Sequence, residues 1–227
     1  MTSNNPVYVA LDTPALADAT TLVARLMPHV GGVKLGLEFF CANGPAGVAM
    51  IAQMGLPVFL DLKLHDIPNT VAGALHSLAS LAPAIVTVHA SGGHAMLAAA
   101  RAAAPAATKV VAVTVLTSLD DDDLAAAGVA GGAAAQVLRL AGVVRGAGLD
   151  GVVASPQETA VLRAAWPEAL LVIPGVRPAG SAIGDQKRVM TPREARDAGA
   201  NVLVIGRPIT GASDPVAAAA AIARELA

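Results

Sequence analysis

Short runs of β-branched and other apolar residues recur along the chain, separated by alanine-rich stretches with helical patterning. The runs predict strands near Val7–Leu11, Gly32–Leu37, Val58–Leu62, Ala84–His89, Lys109–Val115, Gly151–Ala154, Leu170–Ile173 and Val202–Ile205. Between and after them, helices are predicted over roughly 14–28, 44–54, 68–81, 93–104, 120–147 in one or two pieces, 156–165, 191–198 and 214–226. Gly55, Gly148 and Gly199 fall where a helix should close with a left-handed cap before the next strand. Strand and helix alternating in this way indicate βα units and a parallel sheet. Eight units in 227 residues predict a single α/β domain over 1–227, a closed (β/α)8 TIM barrel, whose usual size is about 250 residues. An open doubly wound sheet is the rival, but its Gly-x-Gly-x-x-Gly turn is replaced after the first strand by Asp12-Thr13-Pro14.

The third run departs from the others. After Pro57-Val58-Phe59-Leu60 it acquires Asp61, Lys63, His65 and Asp66 in quick succession. Side chains two apart on a strand share a face, so Asp61 and Lys63 are expected to point one way and Leu60, Leu62 and Leu64 the other. Asp66 falls in the following turn, and Pro68 suits the first turn of a helix because its missing N–H is not needed there. An ordinary ion pair at a strand end is the plain reading; a catalytic site is the other, since buried charges are costly unless paired or functional.

Composition narrows the partners. The apolar fraction of 55% and mean hydropathy of +0.61 owe much to alanine, and Arg, Lys, Asp or Pro interrupts every apolar run short of the ~18 residues of a membrane span. The first six residues lack the charged and apolar regions of an export signal, and one cysteine, Cys41, suits a reducing compartment; a cytoplasmic protein is expected. A net charge of −2 and 2% aromatic residues argue against nucleic acid as a partner. The four aspartates of 120–123 read as a solvated helix start, and the scattered histidines form no structural zinc pattern. A small-molecule ligand is the expectation.

A barrel prediction carries its own test, because active-site residues gather at the carboxyl ends of the strands. Asp12, Lys34, Asp61, Lys63, His89, Thr114, Thr117, Ser118, Arg177, Gly206 and Arg207 all fall there, whereas a random scatter would populate both ends. Lys34 could instead be a snorkelling lysine, and His89 reads as a hydrogen-bonded core histidine. Pro174-Gly175-Val176-Arg177-Pro178 and Ile205-Gly206-Arg207-Pro208 are glycine-plus-arginine turns after the last two strands, where barrels commonly hold phosphate. Between them, the polar stretch 179–186 is long enough to close over a ligand.

The segment Asp61-Leu62-Lys63-Leu64-His65-Asp66-Ile67-Pro68-Asn69-Thr70 resembles the signature of the orotidine 5′-phosphate decarboxylase family. Val88-His89-Ala90-Ser91-Gly92-Gly93, Val115-Leu116-Thr117-Ser118, Pro174-Gly175-Val176-Arg177-Pro178, Gly184-Asp185-Gln186 and Ile205-Gly206-Arg207-Pro208 resemble further family blocks in the same order. The resemblance implies cofactor-independent decarboxylation of OMP to UMP in pyrimidine biosynthesis, with no metal. It implies that Lys34, Asp61, Lys63 and Asp66 form a charged array, with Lys63 the proton donor to C6 and Asp66 crossing a homodimer interface. It further implies that Asp12 binds the ribose, Thr117 and Ser118 the pyrimidine side, and Gln186, Gly206 and Arg207 the phosphate region with Arg177 beside them, while Ile67 and Thr70 also contact the substrate. Related barrels that use Mg2+, such as 3-keto-gulonate-6-phosphate decarboxylase and hexulose-phosphate synthase, share the Asp-x-Lys-x-x-Asp spacing. They require a carboxylate where this chain has Lys34, and Glu38 lies beyond it in what reads as a loop. A non-catalytic phosphate-binding barrel is the alternative of another class.

Overall fold

The computed structural model describes residues 5–178 and 190–227. Eight parallel strands close on themselves in sequence order: β1 (Val7–Ala10), β2 (Gly32–Leu35), β3 (Val58–Leu64), β4 (Ile85–His89), β5 (Lys109–Val113), β6 (Gly151–Val153), β7 (Leu170–Ile173) and β8 (Val202–Ile205). The helices are α1 (Leu16–Leu26), α2 (Leu37–Ala52), α3 (Pro68–Leu78), α4 (Gly93–Ala103), α5 (Asp121–Ala126), α6 (Gly132–Gly146), α7 (Thr159–Ala165), α8 (Pro192–Asp197), α9 (Arg207–Thr210) and α10 (Pro215–Leu226). This is the (β/α)8 barrel expected from the sequence, and β1 pairs with β8 to complete it. No helix among the described residues is long and apolar enough to cross a membrane.

The period-2 alternation of the strands sorts their side chains into two layers. Val7, Val9, Val33, Leu60, Val86, Leu171 and Leu203 face outward into the large core beneath the helices. Ala10, Phe59, Ile85, Val111, Val172, Val202 and Val204 pack inside the barrel. Because Lys34, Asp61, Thr87 and His89 share phase with the inward set, the same alternation turns these four polar residues toward the barrel axis. Gly55, Gly148 and Gly199 adopt positive φ of 97°, 77° and 107°, as the capping pattern requires.

Two local expectations need correction. The second strand ends at Leu35 and the following helix begins at Leu37, seven residues earlier than predicted, so Glu38 sits in its first turn and is exposed. That helix, α2, runs through Gly44-Pro45 with a kink at Gly44, where φ is 59°. The Gly206-Arg207 turn is the start of a short helix, α9, with Gly206 at its N-cap and Pro208 within its first turn. The aspartate-rich segment behaves as read: Asp120 caps α5, accepting the amide of Asp123, while the Asp123 carboxylate accepts the amide of Asp120.

The amino end of the barrel is not free of charge, contrary to a one-ended reading. Asp150 lies 2.8 Å from Arg101 and 2.9 Å from Lys109, and it accepts the Val110 amide at 2.9 Å. Arg163 donates to the carbonyls of Gly199 and Ala169 and to Asn201 Oδ1. These groups satisfy one another and tie the loops entering β5, β6, β7 and β8, a structural use of charge.

Candidate active site

At the carboxyl mouth, three ionised side chains converge from β2 and β3. Asp61 Oδ2 lies 2.8 Å from Lys63 Nζ and 3.6 Å from Lys34 Nζ, and Lys34 Nζ is 3.4 Å from Asp12 Oδ1 in the loop after β1. Lys34 and Asp61 are each only 9% exposed, which removes the snorkelling reading of Lys34: its ammonium ends between two carboxylates. Gly36 keeps that approach open, since a Cβ there would stand 3.0 Å from Lys34 Nζ.

Asp61 and Lys63 meet as expected, but not through regular alternation. The β3–β4 register runs Phe59↔Ile85 and Leu60↔Val86, then resumes at Leu64↔Val88, so β3 carries extra residues at this point. Lys63 takes φ of 52°, a left-handed conformation that costs a non-glycine residue about 1 kcal/mol or more. Thr87 bridges the irregularity. Its hydroxyl accepts the Lys63 amide at 2.9 Å and donates to Asp61 Oδ1 at 2.9 Å. The sequence reading overlooked Thr87, although it stands two residues before His89 on the same face of β4 and strand period alone would have turned it inward.

Burial works to raise the Asp61 pKa, but the charges of Lys34 and Lys63 and the hydrogen bonds from Lys63 and Thr87 outweigh it and hold the carboxyl below its usual value. A folded-state pKa below the unfolded value of about 3.9 stabilises the fold above that pH, and the contribution is lost as pH falls through the folded value. The melting temperatures of wild type and Asp61→Asn should therefore differ most near neutrality and converge as pH drops below about 4. A constant gap in melts from pH 7 to pH 3 would contradict this ionised state.

Two recesses adjoin the array. Lys34, Phe59, Asp61, Lys63, Val113, Leu116, Thr117, Val153 and Pro174 are among the residues lining a largely apolar cavity of about 170 Å³. Next to it, Asp12, Lys34, Gly175, Arg177, Gly206 and Arg207 line a more polar cavity of about 220 Å³. Lys34, Pro174 and Val204 belong to both, so the two are neighbouring compartments of one mouth. Arg177 is buried with its guanidinium on the Val176 carbonyl, and Gly175 takes φ of 75° in the turn before it.

The structure does not unite every expected residue. Asp66 is exposed, accepts the Ile67 amide at 2.7 Å and forms no ion pair among the described residues. Ile67, 67% exposed, and Thr70 lie beside it at the start of α3, outside both cavities. Ser118 is exposed and lies outside the two cavity walls, and the Thr114 hydroxyl is spent on the Val153 carbonyl. Gln186 and the rest of the stretch 179–186 lie outside the described residues. His89 is half-buried; its Nδ1 is 2.6 Å from Ser91 Oγ and its ring stacks on His65 with centroids 5.2 Å apart. Burial, His65 and Lys63 all lower its pKa, favouring the neutral ring. Among the described residues no three His, Cys, Asp or Glu side chains converge in a way that could hold a metal ion.

A closed parallel barrel carrying a buried array of charges at its carboxyl mouth defines the class: a (β/α)8-barrel enzyme. Comparison with known proteins makes it specific. The orotidine 5′-phosphate decarboxylase / HUMPS family model matches residues 5–222, and the chain belongs to this family and is a carboxy-lyase. It is 60% identical to the orotidine 5′-phosphate decarboxylase of Novosphingobium aromaticivorans over 98% of this chain and 100% of that one. Identity to the enzyme of the same name from Sphingopyxis alaskensis is 58%, over 98% of this chain and 99% of the relative. The crystal structure of orotidine 5′-phosphate decarboxylase from Lactobacillus acidophilus superposes with a TM-score of 0.86 at 40% identity, covering 98% of this chain and 99% of that one.

Proposed function

We propose that this chain converts orotidine 5′-phosphate to UMP, the last step of de novo pyrimidine biosynthesis, without a cofactor and with Lys63 as the proton donor. The observation that carries the reading is the clamp on Asp61: one carboxylate between two ammoniums, with Lys63 Nζ at 2.8 Å and at the edge of the apolar cavity. Breaking the bond from C6 to the carboxylate releases CO2 and leaves an electron pair in the plane of the pyrimidine. The ring π system cannot delocalise that pair, so stabilisation must come from a fixed positive charge. An ammonium held beside C6 meets the developing charge and then transfers its proton to the carbon, completing UMP.

The remaining residues divide by compartment. Thr117, with Ser118 beyond the wall, serves the pyrimidine; Asp12 and Lys34 serve the ribose; Gly206, Arg207 and Arg177, with Gln186, serve the phosphate. Binding energy from the remote phosphate positions the ring against the array. Asp66, Ile67 and Thr70 act on the partner's site in a homodimer, a reading supported by their shared exposure on one segment and by the absence of any ion pair to Asp66 within its chain among the described residues.

Lys34 weighs against the Mg2+-dependent barrels, because its ammonium stands where those enzymes require a carboxylate, and Glu38 is exposed on α2. Purified protein should form UMP from OMP at the same rate before and after EDTA treatment. Turnover abolished by EDTA and restored by Mg2+ would move the chain to the metal-dependent reading. Calorimetric binding of UMP without any conversion of OMP would make it a binding protein.

A further inference from the structure

We propose that Thr87 is a positioning residue for the decarboxylation, its single hydroxyl setting both the backbone of Lys63 and the carboxylate of Asp61. The inference rests on the reading of Asp61 and Lys63 given above. Thr87 is 0% exposed on the inward face of β4, with Ile85 two residues before it on the same face and Val111 paired with it on β5, both buried and apolar. Valine would fill the same volume there, so packing does not call for a hydroxyl.

Hydrogen-bond chemistry does. The Asp61 carboxylate is ionised and can only accept, so the Thr87 proton must point to Oδ1, leaving the oxygen lone pairs to accept the Lys63 N–H. Both ports are thereby used. With Oδ1 held by Thr87, Oδ2 is the oxygen presented to Lys63 at 2.8 Å and to Lys34 at 3.6 Å. On the other side, the regular β3–β4 ladder is interrupted between Leu60 and Leu64, and the hydroxyl takes the place of a strand carbonyl for the Lys63 amide. That contact helps hold Lys63 at its φ of 52° and so fixes the stem from which the ammonium reaches the cavity. One hydroxyl thus registers the acid and the base of the pair to each other.

The test compares Thr87→Val, which keeps the shape, with Thr87→Ser, which keeps the hydroxyl. Thr87→Val should lower kcat on OMP by about ten- to a hundredfold, the scale of a lost buried bond to a charged group, with KM changed by less than about threefold. Thr87→Ser should recover most of the loss. Without the Thr87 bond the Asp61 carboxylate protonates more readily, so the acid limb of the pH profile should move to higher pH in Thr87→Val and return in Thr87→Ser. Hydrogen exchange at the Lys63 amide should accelerate in Thr87→Val and remain slow in Thr87→Ser, a readout independent of turnover. Thr87→Val that keeps kcat within about twofold of wild type, or Thr87→Ser that fails to restore it, overturns the proposal. Wild type inert toward OMP would overturn the functional reading instead, and unchanged Lys63 exchange in Thr87→Val would then overturn the Thr87 contact separately.

Discussion

Lys63→Ala should lower kcat on OMP by about four powers of ten or more while UMP continues to bind. Lys63 is assigned two effects at once. A preorganised charge beside the reacting carbon contributes on the order of 10²–10³, and a positioned proton donor on the order of 10²–10⁴. Both vanish with the ammonium, and no other group in the array can replace it: Lys34 Nζ is held between Asp12 and Asp61 on the adjacent strand. Binding survives because the polar cavity lined by Gly206, Arg207 and Arg177 does not include Lys63. The fold survives because Asp61 retains Thr87 at 2.9 Å and Lys34 at 3.6 Å. Rates of UMP formation, paired with calorimetry of UMP on the same variant, check the split. A loss of only about tenfold, or a parallel loss of binding, would remove Lys63 from the donor role.

Lys63→Ala and Asp66→Ala, each expected to be inactive alone, should regain activity when mixed and allowed to exchange subunits. If each site combines Lys63 of one subunit with Asp66 of the other, the mixed dimer has one site carrying both changes and one carrying neither. Random pairing of equal amounts then leaves about a quarter of all sites intact, as the two-fold symmetry of the dimer dictates. The physical motive is the position of Asp66, exposed at the entrance to α3 with its carboxylate on the Ile67 amide. Assay of the mixture against its two parents after partial denaturation and refolding measures the fraction recovered. Activity no greater than that of the parents would place Asp66 within its own chain's site or outside the reaction.

The barrel was legible because each βα unit writes its period locally. Alternation along Val7-Tyr8-Val9-Ala10 and Val202-Leu203-Val204-Ile205 separates an outer from an inner layer, and both layers are found. Glycine caps close helices where the punctuation stands. Misreadings occurred where two local signals compete. The apolar run reads as strand through Leu37 with Glu38 in a loop, but Leu37-Glu38-Phe39-Phe40 opens α2 with Phe39 fully buried, because packing outweighs a weak propensity. The Asp150 cluster at the amino end escaped notice because its members, Arg101, Lys109 and Asp150, are distant in sequence and meet only through strand neighbours.

By itself the sequence determined the number and order of the βα units and the inward phase of Lys34 and Asp61, since both follow from residue spacing along a single strand. Only the tertiary structure decided how those side chains combine. The distance from Lys34 to Asp61 depends on the β2–β3 register, in which Lys34 pairs with Phe59. The left-handed turn at Lys63 and the bridging hydroxyl of Thr87 arise from a register slip between β3 and β4. Register is a property of two strands held at a fixed offset by barrel closure, and no pattern within either strand encodes it.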